Sequence, residues 1–308
     1  MSRSEKVRFS SQGLVLSGTL HWPTGMGPHP ALLMLQGSGA EDRDSGGYFP
    51  PIRNHFIENG LAVFSWDKPG IGGSEGDWRQ RTLFDRSDEA LDALAWLREQ
   101  QGVDPERVGV WGHSQGGWVG PLVASRSRDV AFLVVNSGPG VTLEAQDLYG
   151  MEHILRRDGV PQAEIEQALG WMRALHDAAR AGTPFEQVNA DLFKPNRGTA
   201  AETYFGQISP EDWPFFVLNF ERPYDPVAAL EQITCPMLAL FGEFDPLVPV
   251  EESARIFEEA ARAADNHDLT IHIFPGADHR IRVGDALHFA SGYLETMSDW
   301  LRRRTQID

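Results

Sequence analysis

Gly112-His-Ser-Gln-Gly116, within Arg107-Val-Gly-Val-Trp-Gly-His-Ser-Gln-Gly-Gly117, is the stretch on which the reading of this chain turns. Residues 108–111 form a short apolar run of the kind that makes a buried strand. Two glycines after Gln115 lead into an apolar segment, so the order is strand, sharp turn, helix, with Ser114 at the apex. Small residues two positions either side of the serine suit a strained turn that lifts the hydroxyl clear of the backbone. The helix N-terminus then points at that hydroxyl and favours negative charge beside it.

Working outward, residues 31–137 alternate short apolar runs with helical patterns. Runs at 31–35, 61–66 and 131–137 read as strands buried on both faces, with helices predicted over 52–58 and 87–101 between them. An N-terminal hairpin is expected from strands at 6–11 and 14–20 around Gln12-Gly13. The rhythm stops between about 141 and 231, where helical patterns (143–157, 162–180) precede a stretch rich in aromatic residues. It resumes with strands at 237–241 and 269–274, a helix over 251–264 and a final amphipathic helix over 287–303. The expected architecture is a mostly parallel central sheet flanked by helices, with core 1–140 plus 232–308 and a helical cap inserted at 141–231.

A serine hydroxyl needs a base to take its proton, and the base needs an acid to fix its tautomer. In an open α/β sheet such groups belong just past the C-terminal ends of strands. Three residues meet that condition: Ser114, Asp245 four residues past the 237–241 run, and His279 five residues past Phe274. Glu243 competes with Asp245 as the acid, but Asp245 sits deeper in the turn. Asp278 adjoins His279 and is expected to cap the turn, while His113 stands beside the nucleophile and cannot easily turn its ring back on Ser114. An oxyanion hole is expected from the backbone N–H groups of Gln115 and of Ser38, the latter in Gly37-Ser-Gly39 after the 31–35 strand, although those glycines also suit an ordinary turn.

Composition excludes several alternatives. A formal charge of -17 over 308 residues opposes binding to nucleic acid or an anionic membrane surface. No run approaches the eighteen or so apolar residues of a membrane helix, and Met1–Lys6 lacks the apolar segment of a secretory signal. Cys235 is the sole cysteine and lacks a basic neighbour, so it reads as a buried structural thiol, and a cytoplasmic protein is expected. No His-Glu-x-x-His spacing and no phosphate loop with a following lysine occurs, so neither metal nor cofactor is expected.

With these residues in place, the chain resembles the α/β-hydrolase superfamily, and within it bacterial serine esterases of the dienelactone hydrolase and acylaminoacyl-peptidase branches. The resemblance rests on Leu16-Ser-Gly-Thr-Leu20, Gly37-Ser-Gly-Ala-Glu-Asp-Arg-Asp44, Asp67-Lys-Pro-Gly-Ile-Gly-Gly-Ser74 and the 112–117 elbow, with the Ser, Asp, His order of the triad. Relatives commonly carry His-Gly where this chain has Gln36-Gly37, which keeps the backbone donor but changes what orients the loop. The resemblance makes Asp67 and Lys68 scaffolding beside the site. Together with the three strand-end residues it implies a carboxylesterase-type hydrolase acting on a small acyl substrate, with amides, peptides or thioesters as alternatives that the same triad serves, and a non-catalytic binding protein on the same scaffold as a remote one. Trp213, Phe215, Phe216 and Phe220 read either as an apolar acyl pocket or as the cap's own core.

Overall fold

In a computed structural model, residues 3–284 and 288–305 are described. β1 (Arg3–Ser11) and β2 (Leu14–Trp22) form the expected hairpin, turning on Gln12 and Gly13 at φ 47° and 78°. Both left-handed residues are what a two-residue primed turn requires. β3 (His29–Leu35), β4 (Ala62–Trp66), β5 (Val103–His113), β6 (Leu133–Asn136), β7 (Met237–Gly242) and β8 (Leu269–Phe274) run parallel, in the order β1-β2-β4-β3-β5-β6-β7-β8. This is the α/β-hydrolase sheet.

The continuous apolar runs are explained by burial on both faces. Leu33 and Leu35 face one core layer with Leu94, Leu97, Val119 and Phe257, while Leu32 and Met34 face the other with Ile52, Phe56, Met297 and Trp300. The first layer is closed by α2 (Leu83–Arg98), α3 (Gly116–Arg126) and α10 (Val250–Ala263), the second by α1 (Phe49–Glu58) and α11 (Tyr293–Thr305). Successive side chains on a strand point to opposite faces, so a two-layer covering leaves no polar alternation to read.

Three helices begin elsewhere than expected, α1 at Phe49 rather than 52 among them. α2 starts at Leu83 rather than 87 because Thr82 and Asp85 form a capping box: Thr82 Oγ1 accepts the Asp85 N–H at 3.2 Å and Asp85 accepts the Thr82 N–H at 2.8 Å. α11 starts at Tyr293, not 287 (Leu287 lies outside the described residues), because His288–Phe289 (β10) pairs instead with Arg282–Val283 (β9).

Between β6 and β7 lie α4 (Leu143–Arg157), α5 (Gln162–Arg180), α6 (Phe185–Val188), α7 (Ala200–Phe205), α8 (Trp213–Glu221) and α9 (Pro226–Leu230). Met151, Leu155, Met172, Leu175, Phe193, Trp213 and Phe220 form a core of their own, with Phe216 packed against it. The aromatic residues therefore hold the insert together. Phe215 is the exception: its ring meets the Trp78 ring edge-on at 4.8 Å, next to an Arg79–Asp212 ion pair of 2.6 Å.

His21, on β2, is half-buried, and burial with the nearby Arg53 guanidinium pushes its pKa down to about 4, against the raising effect of Asp44. An unfolded histidine takes up its proton near pH 6.5, so this group's share of stability is present at neutral pH and is lost as pH falls from about 6.5 toward 4. A His21→Gln protein should show a shallower fall of Tm than the parent across that window in calorimetry. Identical slopes would contradict this.

A candidate active site at the ends of three parallel strands

Ser114 sits between β5 and α3 with φ +54°, a left-handed conformation a non-glycine residue rarely adopts. Its N–H donates to the Asn136 carbonyl at 3.0 Å and its own carbonyl accepts the Gly117 N–H at 2.7 Å, which hold the turn closed. The flanking glycines are required by close approach. A Cβ on Gly112 would lie 2.0 Å from the Gly116 carbonyl oxygen, and one on Gly116 would lie 2.4 Å from that of Leu35.

Asp245 and His279 are brought together. His279 Nδ1 donates to Asp245 Oδ2 at 2.7 Å, while Oδ1 accepts the N–H groups of Leu247 at 2.8 Å and Val248 at 3.0 Å. Asp245 is fully buried and its three hydrogen bonds fix the carboxylate plane, which fixes the imidazole tautomer in turn. The β7 and β8 loops press together so closely that a Cβ on Gly242 would stand 2.1 Å from the Asp278 carbonyl.

The competing residues have other partners. Glu243 accepts the Gly276 N–H at 2.8 Å, tying the two loops together, and Asp278 accepts the N–H groups of Arg280 and Arg282, each at 2.9 Å. Asp278 therefore caps the turn, as expected. The His113 ring lies 5.1 Å from the His279 ring, which puts His279 beside the Ser114 turn. Burial, reinforced by His279 and Arg280, pushes His113 well below the ordinary histidine range, so it is neutral at pH 7. Its Nδ1 lies 3.1 Å from Asn136 Nδ2 and 3.3 Å from the Asn136 carbonyl. The Asn136 amide also meets Tyr48 Oη at 3.2 Å and Tyr293 Oη at 2.7 Å, and Tyr48 donates to the Arg280 carbonyl at 3.0 Å. That chain runs from the core to the residue after His279.

On the β3 loop, Gly37 touches the elbow: its Cβ position is 3.4 Å from Ser114 Cβ. Neither the Ser38 nor the Gln115 backbone N–H donates to a protein acceptor among the described residues. Gln36 is buried, accepts Arg86 Nη2 at 3.2 Å and donates to the Trp66 carbonyl, so it locks the ends of β3 and β4 to α2. Arg43 forks onto Asp67, with Nε to Oδ1 at 2.9 Å. Two contacts had no sequence signal, because both join segments far apart in the chain. Lys68 donates to the Gly37 and Gly39 carbonyls, and Tyr149 of α4 donates to the Asp245 carbonyl at 3.3 Å.

Among the described residues no group of three or more His, Cys, Asp or Glu side chains is placed to hold a metal, and no helix is long and apolar enough to cross a membrane. Burial raises the Cys235 thiol to about 12, which suits an inert position.

The sequence model of the family described as X-Pro dipeptidyl-peptidase (S15 family) matches residues 12–279. The chain is 30% identical over 279 residues to the polyketide transferase grgF of Penicillium sp, covering 84% of each. It is 25% identical over 274 residues to the esterase EstD of Thermotoga maritima, covering 88% of this chain and 59% of that one. The solved esterase Pf2001 of Pyrococcus furiosus superposes with a TM-score of 0.66 at 18% identity, over 98% of this chain and 92% of that one.

Gly112→Ala should destabilise the fold by more than ~4 kcal/mol or prevent soluble expression, because the clash is with backbone that cannot retreat. A chemical denaturation curve within ~1 kcal/mol of the parent would show that the elbow relaxes.

Proposed function

We propose that this chain, which belongs to the X-Pro dipeptidyl-peptidase (S15) family and is an α/β hydrolase, cleaves carboxylic esters through an acyl-enzyme on Ser114. The observation that carries the reading is the Asp245–His279 pair, 2.7 Å apart, at the same sheet edge as the left-handed Ser114 turn. With its Nδ1–H committed to Asp245, His279 keeps the Nε2 lone pair free to act as base.

In this reading His279 takes the Ser114 proton as the hydroxyl oxygen attacks the acyl carbon. The tetrahedral oxyanion is held by the N–H groups of Ser38 and Gln115, both without a protein acceptor among the described residues. His279 then gives the proton to the leaving alcohol, and the C–O bond breaks. Water, deprotonated by the same imidazole, releases the acid and restores Ser114. Asp245 stabilises the imidazolium at each step.

The esterase relatives favour an ester over other acyl groups. The family description favours a second reading, hydrolysis of amide or peptide bonds by the same residues. Residues 141–231 act as a cap in either case, with Tyr149 reaching the triad loop and Phe215 resting on Trp78. The charge of -17 and the absence of nucleic-acid motifs favour a small-molecule substrate.

The test is a panel of p-nitrophenyl esters, acyl thioesters and aminoacyl amides against the parent and Ser114→Ala. Ester turnover should fall by a factor of about 10⁶ in the variant. Wild-type ester turnover by Ser114→Ala would sink the proposal, and preferential amide cleavage would select the second reading. The acid is tested separately: Asp245→Asn should lower kcat by ~10⁴, whereas Glu243→Gln should leave it within ~3-fold. The reverse ranking would make Glu243 the acid.

A further inference from the structure

Lys68 follows β4 and is buried to 1% exposure. Among the described residues no carboxylate lies within ion-pair distance of it; the ion pairs nearby are Arg43–Asp67, one residue away, and Arg86–Glu89 on α2, at 3.4 Å. Its ammonium group spends its hydrogen bonds on two backbone carbonyls of one loop, Gly37 and Gly39, the latter at 2.8 Å. Burying an ammonium without a carboxylate is unfavourable, and a methionine would fill the same volume at less cost. Desolvation pushes the Lys68 pKa well below the usual lysine range, Arg86 adds to this, and Glu41 and Glu89 oppose it. Either charge state keeps at least two N–H donors for the two carbonyls.

The consequence lies in peptide geometry. The Gly37–Ser38 bond is trans, so its C=O and N–H point in opposite directions. A donor that captures the Gly37 carbonyl thereby sets the direction of the Ser38 N–H. The same loop touches the elbow, with the Gly37 Cβ position 3.4 Å from Ser114 Cβ. The Lys68 backbone N–H also donates to the Glu41 carbonyl at 3.3 Å, so both ends of the loop are tied to the end of β4.

We propose that Lys68 is a positioning residue: by holding the Gly37 and Gly39 carbonyls it presents the Ser38 N–H to the oxyanion formed at Ser114. The inference rests on the reading of Ser114 as nucleophile. Lys68 touches neither substrate nor the reacting atoms, and acts only through the loop.

The experiment compares Lys68→Met and Lys68→Gln with the parent, each normalised by active-site titration with a fluorophosphonate, and with Ser114→Ala, normalised by protein concentration. Losing one oxyanion donor lowers turnover by ~10²–10³, so kcat per titrated site should fall by about 10²-fold in Lys68→Met with KM little changed. Affinity for a boronic acid that mimics the tetrahedral state should fall in proportion. A residue that served only folding would lower Tm and the titrated fraction and leave kcat per site at the parental value, and that result overturns the proposal. If neither variant folds, the parent decides: phosphonylation of Ser114 should slow hydrogen exchange at the Ser38 amide, and unchanged exchange there overturns it. Full activity in Ser114→Ala would instead overturn the underlying mechanism.

Discussion

The close approach of α3 to the strands beneath it is the constraint on which the rest of the molecule depends. The helix starts so near β3 and β5 that no side chain fits at Gly112 or Gly116, and the serine between them is forced to φ +54°. Left-handed backbone at a non-glycine residue is unfavourable by about 1–3 kcal/mol and persists only where the surroundings over-determine it. Here they do so through the Ser114–Asn136 and Gly117–Ser114 backbone hydrogen bonds and a fully buried sheet on either side. A parallel sheet then gathers the other groups, since every strand from β3 to β8 delivers its C-terminal loop to the same edge.

Beneath that edge lies a polar layer that an apolar core would not need. Gln36, Lys68, Arg86 and Glu89 are all buried: Gln36 ties the end of β3 to β4 and to Arg86 of α2, Lys68 holds the loop after β3, and Glu89 pairs with Arg86 one turn along α2. Such a layer adds little net stability, because desolvation offsets most of the Coulomb attraction. What it adds is direction. Arg43 and Asp67 clamp the far side of the loop in the same way, where burial raises the Asp67 carboxyl but the Arg43 guanidinium and backbone N–H groups outweigh it and leave it below its usual range. A second polar chain, Tyr293–Asn136–Tyr48 to the Arg280 carbonyl, does the same for the loop that carries His279.

The helical insert stands in a different relation to the sheet. Its aromatic residues pack on one another around α5, and it meets the rest of the chain through α9, which packs on α3 and α10 and sends Leu230 into the first core layer. It also does so through Phe215 on Trp78, Arg79 with Asp212, Arg222 over the Phe84 ring at 3.5 Å, Tyr224 donating to the Trp118 carbonyl at 3.3 Å and Tyr149 donating to that of Asp245. An element with its own core can vary in shape without disturbing the strand ends that carry Ser114, Asp245 and His279. Relatives of this chain are described as an esterase and as a transferase, in keeping with one fold carrying different activities.

The sequence alone determined the α/β class, the hairpin, the strand order along the chain and the three residues at strand ends, because each is written in a local pattern: an apolar run, a Gln-Gly turn, a small-residue elbow. It also ranked Asp245 above Glu243 and assigned Asp278 to the turn, from depth within short loops. It did not find the Thr82–Asp85 cap or the β9–β10 pair, where weak local signals lost to a neighbour's hydrogen bonds. Only the tertiary structure decided what Lys68, Gln36, Tyr149 and His113 touch, and that the aromatic cluster is the insert's own core. Their partners on other elements lie from 23 to 166 residues away, and no spacing rule reaches that far: such contacts exist only once the sheet has stacked distant segments side by side.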